Sequence, residues 1–254
     1  MLTYEVNQRV PVEMSKNTVV IVQSNYIPWK GYFDLINSSD QFVIYDEVQY
    51  TKRDWRNRNK IKSESGVMWL TVPVEVKGKY FQKISETKIA DHSWAKSHWS
   101  SITHSYARAP YFHMYQKTLA EWYEAAEKMD YLSEVNCLFL TGICGLLGIE
   151  TTLHQSSSFV LSEGKSERLL NICKELGADR YISGPAAKNY LDETIFQHAQ
   201  IEVAWSDYSS YPEYEQLYPP FEHYVSILDL LFATGPNCHS FLKSFAPSES
   251  TLYE

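Results

Sequence analysis

Residues 18–46, TVVIVQSNYIPWKGYFDLINSSDQFVIYD, decide the fold. Every residue of Thr18–Val22 is β-branched, which is typical of a strand buried on both faces in a parallel sheet. Pro28 suits a first helical turn, because the N–H that proline lacks would have no partner there. We therefore predict a helix over 29–37 and a second strand over 41–45. A strand, a helix and a strand in this order form a right-handed crossover in a parallel sheet.

Polar and aromatic side chains follow both predicted strands. Gln23, Asn25 and Tyr26 come directly after the first strand, and Asp46 comes after the second. Ligands of open α/β sheets bind beyond the carboxyl ends of the strands, so these side chains should face one crevice. The predicted helix begins near Trp29, where free backbone N–H groups favour an anion. This part of the chain therefore predicts a ligand site at one edge of the sheet.

A basic segment follows at residues 51–62, TKRDWRNRNKIK, with six cationic side chains and one acidic side chain. It stands out because the whole chain carries a formal charge of −8. Three interpretations are open: a nucleic-acid surface, a solvated surface, or a clamp for a small anion such as a diphosphate. The acidic chain offers no second basic stripe, which disfavours nucleic acid. We prefer the clamp, because arginine binds phosphate through paired hydrogen bonds and lysine adds a point charge. Its candidates are Arg53, Arg56, Arg58 and Lys60.

The composition indicates a packed protein rather than a disordered one. The 254 residues include 19 tyrosines and 7 tryptophans. No apolar run is long enough to span a membrane, and the N-terminus lacks the pattern of a signal peptide, so we expect a cytoplasmic protein. The histidines lack the spacing of a helical metal pair, and no metal site is predicted. The cysteines contain no C-x-x-C pair and are expected to be free thiols: Cys137, Cys144, Cys173 and Cys238.

The rest of the chain alternates strands and helices around a longer helical stretch. Predicted strands cover residues 67–74, 150–154, 180–182 and 201–205. Predicted helices cover residues 94–128, with a break near 109–110, and residues 131–149, 166–176 and 226–235. This order predicts an α/β fold with a parallel-sheet, Rossmann-like core and an additional helical region. The expected organisation is an N-terminal extension at 1–17, a single α/β domain at 18–240 with a helical insertion near 92–149, and a C-terminal tail at 241–254.

Two residues outside the opening unit are further candidates. Gly184 follows the predicted strand 180–182, where a glycine allows a ligand to approach the backbone, although most such turns serve structure alone. Asp229 lies among apolar neighbours in the last predicted helix. A carboxylate at such a position either pairs with an arginine of the basic segment or takes part in chemistry.

Several motifs resemble those of the WbqC-like family: QSNYIPWKGYFDLI, DQFVIYDEVQY, RDWRNRNKI, WLTVPV, YISGPAAKNYL and SILDLLFATG. The resemblance extends from Thr18 to Gly235, with Ser24 and His223 standing where the family pattern has proline. It implies a place in bacterial surface-polysaccharide (O-antigen) biosynthesis and the modification of amino sugars, including aminoacyl transfer. A looser similarity links the first strand, loop and helix to nucleotide-binding transferases with a HIGH motif, but residues 23–31 contain no histidine.

The favoured hypothesis is a transferase that moves an acyl or aminoacyl group onto the amine of a nucleotide-activated amino sugar. In this hypothesis the diphosphate is bound by the cations Arg56, Arg58 and Lys60. The sugar or the acyl group is oriented by the amides Asn25, Asn57 and Asn59. Stacking walls are provided by Tyr26, Trp29 and Trp55. The general base is Asp46 or Asp229, a role that needs burial to raise the pKa.

No cofactor is firmly implied, although an acyl or aminoacyl thioester would serve as the donor. An acyl or peptidyl carrier protein would then be a partner, and no nucleic-acid partner is expected. Two other hypotheses remain open. One is a non-catalytic protein that binds a glycan precursor or a carrier protein, since no nucleophile with an adjacent base is recognisable. The other is a nucleotidyltransferase or ligase that consumes ATP.

Overall fold

The computed structural model describes residues 16–245, which form two sheets. Within these residues the strands are β1 (Thr18–Val22), β2 (Gln41–Ile44), β3 (Arg58–Ser63), β4 (Gly66–Thr71), β5 (Thr152–Gln155), β6 (Arg180–Ser183) and β7 (Glu202–Trp205). Five of them build a parallel sheet in the spatial order β5-β2-β1-β6-β7. The predicted α/β fold with a parallel, Rossmann-like core is confirmed.

Helices cover both faces of the parallel sheet. They are α1 (Lys30–Asn37), α2 (Trp94–Tyr106), α3 (Phe112–Ala126), α4 (Leu132–Leu147), α5 (Lys165–Glu175), α6 (Glu193–His198) and α7 (Ile227–Thr234). The predicted break near residues 109–110 separates α2 from α3. The additional helical region consists of α2, α3 and α4, which lie between β4 and β5 in the chain.

The central strand β1 is buried on both faces, as its β-branched sequence predicts. Val20 belongs to a core that β1 and β2 share with α1, α2, α3, α4 and α7. Val19 and Ile21 belong to the opposite core, which α5 and α6 cover. Alternate residues of one strand therefore stabilise two separate layers, as expected for a parallel sheet between helices.

The strand order reverses beside β1. The chain leaves β1 through α1 to reach β2 on one side, whereas β6 lies on the other side of β1 and leads through α6 to β7. Because α1 and α6 pack on opposite faces, the segments that follow β1 and β6 diverge. Such a reversal opens a crevice at the carboxyl ends of the strands.

The basic segment contributes to a separate antiparallel hairpin of β3 and β4, in which Lys60 faces Trp69 and Asn59 faces Leu70. No strand was predicted for the basic segment, because its charges mask the alternation of a half-buried strand. Asn59 and Ile61 are buried on one face, whereas Arg58 and Lys60 lie on the other. The predicted strand 67–74 ends at Thr71, before Pro73, which has no N–H to donate to a ladder.

Most of the predicted N-terminal extension (1–17) and of the predicted C-terminal tail (241–254) lies outside the described residues. None of the helices between residues 16 and 245 has the length and apolar character needed to cross a membrane.

Candidate functional site

A cavity of about 640 Å³ opens at the carboxyl ends of β1, β2 and β6. We call it the strand-end cavity. Gln23 lines it from the end of β1, Glu47 from the segment after β2, and Gly184 from the turn after β6. The first turn of α5 closes one side through Lys165 and Arg168. The cavity therefore occupies the crevice that the strand reversal creates, and its volume lies in the range of small-molecule sites, roughly 300–1,000 Å³.

The positive charge of the strand-end cavity comes from α5. Lys165 and Arg168 both line the cavity, and the Arg168 Nε–H donates to the carbonyl of Ser162 at 2.6 Å, which fixes the side chain. The first backbone N–H groups of a helix have no partner within the helix and favour an anion. The predicted site did not include Lys165 or Arg168. The sequence does show Gly164 followed by an amphipathic helix. It does not show that this helix packs beside β1, which only the fold establishes.

Aromatic rings form much of the remaining wall. Tyr45, Tyr181, Tyr190 and Tyr208 line the strand-end cavity. Trp29 supports this wall from behind, because its ring packs edge-on against that of Tyr208 with the centroids 5.5 Å apart. Tyrosine rings offer flat apolar faces and hydroxyl groups, which suits a ligand that is both planar and polar.

Gly184 follows β6, as the sequence predicted, and the structure places it in the wall of the strand-end cavity. A Cβ atom added at Gly184 would lie 3.8 Å from the Tyr208 hydroxyl oxygen, an ordinary van der Waals distance. The local backbone therefore does not demand glycine for steric reasons. An added methyl group would instead take space from the cavity mouth.

Asp46 is buried beneath the loop that follows β1. Its two carboxylate oxygens accept hydrogen bonds from the Ser24 N–H at 2.9 Å and the Ser24 hydroxyl at 2.7 Å. The Asn136 amide donates to the same hydroxyl at 2.8 Å. Burial raises the pKa of the Asp46 carboxyl, although the hydrogen bonds from Ser24 oppose the shift. Asp46 lines a smaller cavity of about 310 Å³, and Glu47 lines both this cavity and the strand-end cavity.

The guanidinium of Arg56 holds the loop after β1 rather than lining the strand-end cavity. It donates to the carbonyls of Gln23 and Ser24, each at 3.4 Å, and to the side-chain oxygen of Asn25. The predicted residues Gln23, Asn25 and Arg56 are thus brought together. Arg56 and Asn25 contribute to the shape of the loop, and among these three residues Gln23 lines the cavity.

Three other predicted residues make structural contacts inside the protein. The Tyr26 hydroxyl lies 2.9 Å from His98 Nδ1 and 2.7 Å from the Tyr123 hydroxyl. The Asn57 amide donates to the Val72 carbonyl at 2.8 Å. The Asn59 amide donates to the carbonyls of Tyr26 and Ile27 at 3.1 and 2.8 Å. None of these three side chains lines the strand-end cavity.

The other predicted phosphate ligands lie on the outer face of the hairpin. The Arg58 guanidinium carbon is 4.2 Å from the centroid of the Trp69 ring, and Lys60 Nζ is 5.4 Å from it. Trp55 packs beside Trp69, and the two are 38% and 42% exposed. Arg58, Lys60 and Trp55 thus form one cationic and aromatic surface, which does not line the strand-end cavity.

Asp229 is buried on α7, where its carboxylate accepts hydrogen bonds from the hydroxyls of Tyr106 and Tyr214, both at 2.8 Å. Its partners are tyrosines and not the arginine that the sequence suggested. Burial raises the pKa of the Asp229 carboxyl, as it does for Asp46. Asp229 lines neither the strand-end cavity nor the smaller cavity at Asp46.

Strongly activated nucleophiles are not evident in the described part of the chain. Ser24 is fully buried, and burial raises the pKa of the Cys144 and Cys173 thiols to about 12. Burial lowers the pKa of His98 to about 4, so this imidazole is neutral near pH 7. Between residues 16 and 245, no three His, Cys, Asp or Glu side chains converge to hold a metal ion.

A model of the WbqC-like protein family matches residues 23–240, which is most of the chain. The chain belongs to the WbqC-like protein family. It is also 50% identical over 225 residues to a protein of Mycobacterium tuberculosis described as the uncharacterized protein Rv1507c, an alignment that covers 89% of this chain and 97% of that protein. No solved structure matches. The WbqC-like match begins at Gln23, the residue that carries the chain from β1 into the strand-end cavity.

Proposed function

We propose that this protein transfers an acyl or aminoacyl group to the amine of a nucleotide-activated amino sugar in bacterial surface-polysaccharide biosynthesis. The observation that carries the proposal is the composition of the strand-end cavity. Two cations and a helix N-terminus lie beside four tyrosines at the carboxyl ends of a parallel sheet. The Glu47 carboxylate also lines the cavity, and it is paired with Lys83 at 2.7 Å. A nucleotide sugar offers complementary parts, namely an anionic diphosphate, a flat base and a polar sugar. Membership of the WbqC-like family is consistent with this substrate.

In the proposed complex the diphosphate binds at the start of α5. Arg168 forms paired hydrogen bonds to phosphate oxygens, Lys165 adds a point charge, and the free N–H groups of the first turn complete the site. The base packs against tyrosine rings, and the sugar extends past Gly184 and Gln23. Arg56 acts indirectly by holding the loop that carries Gln23.

In the proposed reaction the sugar amine attacks the carbonyl carbon of an acyl or aminoacyl thioester. A C–N bond forms, the C–S bond breaks, the nitrogen loses one proton, and the released thiolate takes up a proton. We assign proton removal to Asp46, because its raised pKa suits a general base and it borders a cavity beside the strand-end cavity. Asp229 is less suitable, because it lines neither cavity.

A thermal-shift experiment with nucleotide-linked amino sugars tests the binding part of the proposal. A ligand at a hundredfold its dissociation constant should add about 2.7 kcal/mol to the free energy of unfolding. We expect Arg168→Ala to lose most of this stabilisation and Arg58→Ala to retain it, because Arg58 lies on the outer face of the hairpin. The opposite result would place the diphosphate at the basic segment, and the absence of stabilisation in the wild type would contradict the proposal.

A transfer assay tests the chemical part. Purified protein is incubated with the nucleotide sugar that stabilises it and with acyl or aminoacyl thioesters, and mass spectrometry of the sugar detects the new amide. Asp46→Asn should retain nucleotide-sugar binding and lose transfer. Binding without transfer by the wild type, across free and carrier-linked thioesters, would favour the non-catalytic binding hypothesis.

A further inference from the structure

A second large cavity, of about 910 Å³, lies between α2 and the turn that joins β3 to β4. It shares no lining residue with the strand-end cavity. Five of its ten lining residues are serines, which are Ser63, Ser65, Ser100, Ser101 and Ser105. We call it the serine-lined cavity. Tyr218 contributes a further hydroxyl, and its O–H donates to the Ser105 carbonyl at 2.9 Å.

The Ser105 hydroxyl carries the strongest indication of a ligand. Ser105 is only 2% exposed and lines the serine-lined cavity, yet its Oγ has no hydrogen-bond partner among the described residues. A buried hydroxyl without a partner is destabilising, and such groups are uncommon in folded proteins. The oxygen itself is buried in the free protein, so a ligand in the serine-lined cavity would reach it after a rotation of the Ser105 side chain.

The charges at the rim select an uncharged ligand. Arg108 and Glu64 are both exposed, and Arg108 Nη2 lies 4.0 Å from the Glu64 carboxylate oxygen. An anion would meet Glu64 and the partially negative carboxyl end of α2, which ends at Tyr106, whereas a cation would meet Arg108. Neither sign of charge is favoured overall.

The lining groups match a sugar. Serine and tyrosine hydroxyls both donate and accept, as sugar hydroxyls do, and His104 adds a ring nitrogen. Met68 supplies an apolar surface for the C–H groups of a sugar ring. We propose that the serine-lined cavity is a binding site for a neutral saccharide, separate from the strand-end cavity. This proposal goes beyond the transfer reaction and does not depend on it.

The test uses protein NMR with isotope-labelled full-length chain. The probes are methyl glycosides of glucose, galactose, mannose, rhamnose and N-acetylglucosamine and the corresponding disaccharides, at millimolar concentration. At least one probe should shift the amide signals of Ser101, His104 and Ser105. Ser105→Ala should weaken its binding about tenfold, which corresponds to one hydrogen bond of about 1.4 kcal/mol.

Two controls keep the test specific. Ser97→Ala removes an exposed hydroxyl from the same helix outside the cavity and should leave saccharide affinity unchanged. Ser105→Ala should also keep or raise the melting temperature, because the hydroxyl has no partner in the free protein.

Three results would overturn the saccharide site. The first is that no probe changes the amide signals. The second is that Ser105→Ala and wild type bind the saccharide equally well. The third is that the same signals respond to inorganic phosphate and not to the glycosides.

Discussion

Replacing Asn59 with alanine should destabilise the fold through the turn at Tyr26 and Ile27. Ile27 is buried and has φ of 35°, in the left-handed region that a β-branched residue rarely adopts. The Asn59 amide donates to the carbonyl of Tyr26, which precedes Ile27, and to the carbonyl of Ile27 itself. Its side-chain oxygen also accepts the Lys60 N–H at 2.7 Å. Asn59 therefore holds a strained turn that begins next to the strand-end cavity.

The expected loss is about 2–4 kcal/mol in the free energy of unfolding. Each hydrogen bond contributes about 0.5–1.5 kcal/mol net, and a buried acceptor left without a partner costs about 1–3 kcal/mol. The Asn59 amide donates to two carbonyls, so the loss of free energy of unfolding should exceed that of a single hydrogen bond. The strain at Ile27, about 1–3 kcal/mol for such a backbone conformation, also favours rearrangement once the amide is gone.

Urea unfolding monitored by tryptophan fluorescence measures this loss, with Asn57→Ala as the matched control. The Asn57 amide makes one hydrogen bond, to Val72, so its removal should cost about 1–2 kcal/mol. Under the proposed function, Asn59→Ala should also bind nucleotide sugars more weakly than Asn57→Ala, because it releases the loop beside Gln23. If Asn59→Ala unfolds within about 0.5 kcal/mol of wild type, the amide does not hold the turn and the reasoning is refuted.

Three further predictions concern buried polar groups. Ser24→Ala removes the hydroxyl that donates to Asp46 and accepts from Asn136, while the backbone N–H still donates to Asp46. The change should cost about 1–3 kcal/mol in urea unfolding, and a loss no larger than that of an exposed serine would contradict the network. Burial lowers the pKa of Lys30 from 10.5 to about 8, so between these pH values the unfolded chain holds a proton that the native state has lost. The free energy of unfolding should therefore rise from pH 8 to pH 10.5. Lys30→Met should abolish the rise, and an unchanged profile would show that Lys30 is not responsible. The raised pKa values of Asp46 and Asp229 act in the opposite direction, because the native state retains protons that the unfolded state releases. The free energy of unfolding should therefore fall as pH rises above about 3.8 towards the raised pKa values. The urea midpoint, measured at several pH values, should fall less steeply in Asp229→Asn than in the wild type. An equally steep fall would show that Asp229 is not responsible.

The opening unit was predictable because its signals are local. The β-branched run of β1, the proline before α1 and the second apolar run define the strands and the helix without reference to distant residues. The rule that ligands bind at strand ends predicted that Gln23, Asn25, Tyr26 and Asp46 would face one crevice. Of these four residues Gln23 lines the strand-end cavity, which Gly184 lines from the turn after β6. Residues Lys165 and Arg168 were not predictable in the same way, since α5 reaches the crevice only through the strand order.

The basic segment illustrates the opposite case. Its composition predicted one phosphate clamp, but the hairpin sends Asn59 into the interior and Arg58 and Lys60 to the outer face, while Arg56 turns back to the loop after β1. Side chains alternate across a strand, so neighbours in the chain acquire different surroundings. Composition identifies polar residues, but it does not distinguish a ligand contact from a bond to a buried carbonyl.

The sequence by itself therefore determined the α/β class, the β1–α1–β2 unit and the edge of the sheet where a crevice opens, because these depend on short-range periodicity and on backbone chemistry. Only the tertiary structure decided which side chains line that edge. Tyr26, Asn57 and Asn59 bind groups within the protein, whereas Lys165 and Arg168 arrive from a distant helix. The physical reason is that burial and hydrogen-bond partners are set by segments far apart in the chain, which meet only when the sheet and its helices have packed.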